Sequence, residues 1–435
     1  MVVFLFFYLK FLGELGFLFL FSGFFLFLII NFFDGLRVRI NITMDFIRFG
    51  ILTLSLLVLI SILFAGSYEH YSYRKWEKVV FLLFLLFLFL TYTFSLSSFL
   101  LFYLFFEFVI IPTFILILGW GYRLNRIQAA LYIFIYTLLR SLPLLILLVL
   151  VYLDGVRLFF LFNFFCRCGG VFFYWWFLIV IVFIVKLPLF ILHLWLPKAH
   201  VDAPLLGSMI LAGVLLKMGG YGIYKRLPFV FLFYGGFSSM LSSFSLYGGV
   251  FAALLCLRQT DVRRLIAYSS VVHMGPVFCS LILVIYPGVL GSYWIMISHG
   301  FCSACLFYLV NLSFLIIGSR GMFFIRGGVF FYPFFSFFWF FFCLRNMGFP
   351  PTFNFFSEVF LMLGVFPYRF LLIILVFFLI FLRGFYRVII FCFFNHGFDK
   401  YQFFNFKSLT VKDLIVLIVF LFFLLFFIFF SFVLC

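Results

Sequence analysis

The stretch VFFYWWFLIVIVFIVKLPLFILHLWLPKAHVDAPLLGSMILAGVLLKMGGYGIYKR, residues 171–226, decides how this chain is built. Two apolar segments, each long enough to cross a bilayer, flank a short polar loop. Each carries one lysine in its apolar part, Lys186 and Lys217. A lysine deep in a membrane helix is costly and marks a functional position by default. Pro188 follows Lys186 closely. It cannot donate a backbone hydrogen bond to Ile184 and its ring crowds that carbonyl, so the helix is expected to kink or break beside Lys186. Freed backbone at membrane depth is tolerated only where it faces protein or a water-filled cavity. A charge, a break and water in one place predict an ion path.

The rest of the chain agrees with a membrane reading. It has 435 residues, 68% of them hydrophobic and 9% charged, which excludes an ordinary soluble domain. Since a span needs about 20 apolar residues, such spans use up nearly the whole sequence. The net charge of +17 lies mostly in loops, so it reads as topology and lipid contact, with no nucleic-acid partner. The 84 phenylalanines serve as well as leucine against lipid tails, and a T-rich organellar genome would produce such an excess. The first residues already form a long apolar segment, so no cleavable signal or arginine-rich transit peptide is expected. Cys166-Arg-Cys168 and Cys302-x-x-Cys305 have no second pair at zinc spacing, so free thiols and no metal site are expected.

The fold class that follows is all-α, a polytopic transmembrane bundle of about 13 helices. The spans are placed at 3–30, 46–66, 78–96, 97–118, 127–151, 172–196, 203–224, 228–256, 262–286, 288–317, 329–365, 367–391 and 411–435. The 329–365 segment is interrupted by Pro350 and Pro351 and predicts a second broken helix. Two Pro-broken spans in two parts of a chain point to inverted repeats around a midplane ion site. The expected organisation is a single transmembrane domain, 1–435. N-terminal helices occupy 1–96, a first repeat 97–224 with its broken helix at 172–196, a second repeat 228–391 with its broken helix at 329–365, and a C-terminal helix 411–435. Loops on one side carry Arg37, Arg39, Arg157, Arg167, Lys225, Arg226 and Arg369. The other side is assigned sixteen Lys and Arg, running from Arg74 to Lys412 and including Arg263, Arg264, Arg383 and Arg387. That bias puts the second side inside.

Three acids fall well inside apolar segments, Glu14, Glu107 and Glu358. Glu107 has Tyr103 one turn back on its face. Glu358 follows the Pro350–Pro351 break and repeats the Lys186 arrangement of a titratable group beside a broken helix. Burial in each case favours the neutral form and an opposite charge restores the charged one, so a Glu–Lys pair here is a two-state switch. That is the basis for a proton path through Glu107, Lys186, Lys217 and Glu358. The bland reading of Glu107 is a carboxyl held for packing, and that of Lys217 is a side chain snorkelling toward Lys225. His273, sharing a helix face with Ser269 and Ser270, and His299, with Ser303, are relay candidates; a structural buried histidine is the alternative. His193 and His200 are expected near the surface in structural roles. Arg263 and Arg264 are expected as interfacial anchors, and Lys10 as the partner of Glu14 at i,i+4.

HLWLPKAHVDAPLLGSMILAGVLLKMGGYG (193–222), LRQTDVRRLIAYSSVVHMG (257–275), ISHGFCSACLF (297–307), YLFFEFVIIPT (103–113) and FPPTFNFFSEVFL (349–361) together resemble the chain 4 family of mitochondrial NADH–ubiquinone oxidoreductase, respiratory complex I. The resemblance runs from about residue 45 to the C-terminus, and blocks this long and ordered are far more specific than a short motif. It implies an antiporter-like, proton-translocating subunit of the membrane arm, with no cofactor of its own and ubiquinone chemistry elsewhere in the complex. It also implies two inverted five-helix repeats, with Glu107 and Lys186 as the glutamate–lysine pair. Lys217 would be the central lysine and Glu358 the glutamate at the exit or coupling end. In sibling chains 2 and 5 that last position looks like lysine, and these two chains are the implied neighbours, with membrane lipids. The implied home is the mitochondrial inner membrane, the more basic loops facing the matrix. Two departures stand out: one span fits before 46–66 where the family usually has two (14 in all), and Arg140 stands where the family has a small residue. A mid-span arginine needs a carboxylate, carbonyls or water. The rivals are a cation/proton antiporter subunit unconnected to redox chemistry and a structural assembly subunit without transport.

Overall fold

The computed structural model describes residues 42–69, 76–96, 99–121, 125–153, 171–225, 236–324, 326–368, 370–397 and 410–434. The expected span at 3–30 with Lys10 and Glu14 lies outside these residues. So do Cys166, Cys168 and several loop cations, among them Arg37, Arg39, Arg157 and Arg167. Contacts divide the chain inside its first described helix, into Met1–Thr53 and Leu54–Cys435. The described part of the first unit is the start of that helix.

Among the described residues eight apolar runs form single helices, two of them with a proline inside, Pro143 and Pro276. These are α1 (Ile42–Glu69), α2 (Trp76–Ser95), α5 (Arg126–Leu153), α10 (Gly236–Leu257), α11 (Val262–Leu283), α12 (Tyr286–Ile317), α16 (Phe370–Asn395) and α17 (Val411–Leu434). The expected span at 97–118 is divided at Val109 into α3 (Phe99–Phe108) and α4 (Ile110–Trp120), immediately after Glu107. The span at 203–224 is α8 (Leu205–Ile210), a π-helical turn Leu211–Leu215 and α9 (Leu216–Lys225). Among the described residues nine helical segments are long and apolar enough to cross a bilayer, and the two broken helices and α17 come in addition.

Both breaks fall where the prolines put them. α6 (Val171–Lys186) stops at the lysine itself, and the chain resumes helix as α7 (Trp195–Asp202), several residues beyond the expected end at 196. In the second break α14 (Pro333–Met347) ends before Pro350–Pro351 and α15 (Phe353–Val365) follows; a short helix, α13 (Gly328–Phe331), precedes them. Proline lacks the amide that would continue the ladder.

The core is built by packing α10 on α11, α11 on α12 and α12 on α15, with α16 against α10 and α14. α9 lies along α6. Gly219 sets that approach: a Cβ there would stand 2.8 Å from the Leu187 amide nitrogen and 3.1 Å from the Phe183 oxygen. With hydrocarbon outside, helices gain by packing closely, and small residues let backbones meet. The backbone after Lys186 is thereby pressed against the helix that carries Lys217. Gly219→Ala should cost about 1–3 kcal/mol by overpacking. We expect it to lower the thermal midpoint of the assembled protein, read by heating detergent-solubilised samples and resolving the intact fraction on native gels.

Candidate functional site

Burying a lysine in the membrane interior requires partners, and the break in α6 supplies them. Lys186 Nζ lies 3.4 Å from Glu107 Oε1. That is looser than the ~2.7–2.9 Å of a charge-assisted hydrogen bond. The same ammonium donates to the Phe106 carbonyl at 2.6 Å and sits 3.0 Å from the centre of the Phe106 ring. The Phe106 carbonyl is within reach because α3 ends at Phe108. Across the break, Trp195 Nε1 donates to the Val185 carbonyl at 3.2 Å. Ile191 in the break holds a φ of +77°. A β-branched residue adopts that conformation only where its surroundings enforce it, and such strain gathers at functional segments. Tyr103, placed on the Glu107 face by sequence, donates instead to the Ser141 carbonyl at 2.7 Å.

Lys217 is fully buried, which rules out snorkelling. It donates to the Ala212 carbonyl, five residues back in the π turn, and Ser303 Oγ reaches the same oxygen at 3.4 Å. π turns leave backbone groups open to other partners and recur at functional sites. Ser303 is one helical turn beyond His299 on α12. His299 and His273 stack at 4.6 Å between ring centres, both buried. The expected serine partners do not bond them: Ser269 and Ser270 donate back to their own helix. The partner of His273 is Asn346, at the end of α14. With its amide oriented to satisfy both sides, Nδ2 donates to His273 Nε2 at 2.8 Å and Oδ1 accepts from Arg387.

At the second break, Glu358 is buried and its Oε1 accepts from Arg383 Nη1 at 2.6 Å. Gly348 closes the other side: it holds a φ of +77°, and a Cβ on it would stand 2.8 Å from Glu358 Oε2. Arg387 Nη2 donates to Ser269 Oγ at 2.6 Å.

Several expectations are corrected by these contacts. Arg383 and Arg387 are not loop cations; both are buried in α16. Arg263 is no interfacial anchor: it is buried and donates to Asn311 Oδ1 at 3.1 Å, while Arg264 is exposed. His193 and His200 are buried, not near the surface, because helix resumes at Trp195 and draws them inward. His200 stacks on Phe307 at 4.5 Å, and His193 packs on Phe190 and Tyr268. Among the described residues neither ring nitrogen of His193, His200 or His299 has a hydrogen-bond partner. Buried polar atoms of that kind call for water or a transferred proton. Arg140 has the Tyr136 ring at 5.0 Å, and its Nη1 has no hydrogen-bond partner among the described residues. Cys302 and Cys305 are buried free thiols. Among the described residues no group of His, Cys, Asp and Glu is arranged to hold a metal ion.

Sequence reasoning missed Arg345, Asn346, Arg383 and Arg387. The arginines carried the signal that picked out Lys186, a charge inside an apolar run. The i,i+4 pair in LRGFYRVI lies inside the expected span 367–391, so counting it among the loop cations conflicts with that span.

Comparison with known proteins places these contacts in context. The family described as NADH:quinone oxidoreductase/Mrp antiporter, TM matches residues 95–383. The NADH-ubiquinone oxidoreductase chain 4 of Aedes aegypti is 42% identical over 312 residues, 72% of this chain and 70% of that one. The protein of the same name from Ceratitis capitata is 40% identical, with the same shares of the two chains. A chain in the structure of respiratory complex I from Thermus thermophilus with bound NADH superposes with a TM-score of 0.77, at 22% identity. That match covers 86% of this chain and 80% of that one, and it shows the shared fold.

Removing one member of a buried ion pair leaves the other uncompensated, at a cost of about 3–5 kcal/mol. Lys186→Met should therefore destabilise the protein far more than the double change Glu107→Gln with Lys186→Met. A double-mutant cycle on thermal unfolding measures the coupling.

Proposed function

Because the chain belongs to the NADH-ubiquinone oxidoreductase chain 4 family, we propose that it moves protons across the mitochondrial inner membrane along its buried line of titratable groups. It is an antiporter-like membrane subunit of complex I, multi-pass and helical, and the enzyme is the assembled complex. The proposed line runs from the Glu107–Lys186 pair to Lys217, through Ser303 and the stacked His299 and His273, to Glu358.

The observation that supports this best is the pair at the first break. Glu107 and Lys186 are 3.4 Å apart. Both partners can exchange a proton, so one transfer converts two charges into two neutral groups. In a medium where each charge costs several kcal/mol, the two states can lie close in energy. A charge displaced elsewhere in the complex can then tip the balance. Lys217 receives the consequence: its ammonium bonds the Ala212 carbonyl, which Ser303 also reaches, and among the described residues it has no carboxylate ion pair.

The chain binds no cofactor of its own in this reading; electron transfer and quinone chemistry belong to other subunits. Its neighbours are chains 2 and 5 and membrane lipids. The basic loops face the matrix, and they remain the more numerous side once Arg263, Arg383 and Arg387 are moved to the interior. The matched family also covers Mrp antiporters, so a redox-independent cation/proton antiporter is the rival. Its relatives named as chain 4 favour the respiratory assignment.

Glu107→Gln tests the path. In the fraction of complex that assembles, reconstituted into sealed vesicles, we expect a several-fold fall in protons moved per NADH oxidised, read with a pH-sensitive dye. An unchanged ratio would sink the path and leave an assembly subunit.

A further inference from the structure

α16 carries two arginines one turn apart, and they reach opposite halves of the second broken helix. Arg383 donates to Glu358, on α15 after the break, at 2.6 Å. Arg387 donates to Asn346, on α14 before the break, with Nη1 at 3.2 Å, and Asn346 passes the constraint to His273 Nε2 at 2.8 Å. Both guanidiniums are buried. A guanidinium does not surrender its proton in a protein, whereas an ammonium does. The two ends of the buried line therefore differ in kind. Glu107 and Lys186 can cancel their charges by one proton transfer. Glu358 and Arg383 cannot; they can only separate.

We propose that Arg383 and Arg387 are positioning residues that form a clamp across the Pro350–Pro351 break, holding Glu358 as a carboxylate and His273 as its Nδ1–H tautomer until the clamp opens. The tautomer follows from the donors: Asn346 Nδ2 gives a hydrogen to Nε2, so the ring proton sits on Nδ1. Gly348 leaves the room the Glu358 carboxylate occupies, since a Cβ there would stand 2.8 Å from Oε2. Tyr386 on the same helix faces both arginines, and Cys256, Cys302 and Cys343 face Arg387. Arg383 faces Glu358. Arg383 and Arg387 from α16, and His299 from α12, face His273. Lys217 from α9 faces His299. Arg383 on Oε1 opposes protonation of Glu358, and its release lets the carboxylate take a proton, which makes this end of the line a conformational gate. The role of the gate rests on the proton-path reading above; the clamp itself does not.

Infrared spectroscopy of the assembled complex tests the clamp through the C=O stretch of a protonated carboxyl group. We expect Glu358→Gln alone to remove no such band, since Glu358 is ionised. We expect Arg383→Gln to add one band, the double variant Arg383→Gln with Glu358→Gln to lose it again, and Arg383→Lys, which keeps the charge, not to show it. A band lost in Glu358→Gln alone overturns the proposal, and so does the absence of a new band in an assembled Arg383→Gln. If Arg383→Gln fails to assemble, the Glu358→Gln spectrum decides. Failure of Glu107→Gln to lower proton movement would remove the path reading and leave these bands as they are, so the two failures are distinguishable.

Discussion

A charge at the centre of a membrane helix costs about 3 kcal/mol on insertion scales. The irregular features of this molecule are the ways it meets that cost. Lys186 finds a carboxylate, a carbonyl and an aromatic face because two helices, α3 and α6, end beside it. Lys217 finds a carbonyl within a π turn. Arg383 finds Glu358, and Arg387 finds a hydroxyl and an amide. In a regular helix the carbonyls are spoken for by the backbone ladder, so charge at this depth and broken helix belong together.

The two breaks solve the problem differently. At the first, the titratable cation is the last residue of the entering half-helix and its partner comes from elsewhere. At the second, the entering half ends in Arg345 and Asn346, and the acid lies in the half that leaves. The first thus pairs an ammonium with a carboxylate, and the second a carboxylate with a guanidinium. Between them, Ser303, His299 and His273 bring α11 and α12 into one polar seam, with the apolar faces of the same helices turned to their neighbours.

Most of the architecture was legible from apolar length and proline position, because both are local. Each described span matches an expected one, and both breaks sit at their prolines. That Glu107, Lys186, Lys217 and Glu358 lie within apolar helices was legible for the same reason: an isolated charge in an apolar run is visible without neighbours. What could not be read is what depends on distant parts of the chain. Nothing local says that Tyr103 turns to Ser141, that Asn346 meets His273, or that His200 stacks on Phe307. His193, His200 and Arg263 lie near segment ends, where a shift of a few residues in the boundary moves a side chain from interface to interior. Arg383 and Arg387 lie well inside a helix, and only their distant partners show that charge is tolerated there.

The π turn at Leu211–Leu215 amounts to one residue more than an α-helix would use for the same rise. Each residue turns a helix by about 100°, so everything beyond that turn is rotated by roughly that angle relative to a regular continuation. Lys217 owes its heading to this surplus. A lineage that lost a single codon in this stretch would keep an equally apolar segment of ample length, and its hydropathy would look untouched. Its lysine would nonetheless swing off the seam. The spacing from the turn to Lys217 is therefore a feature by which descent with transport could be told from descent without it.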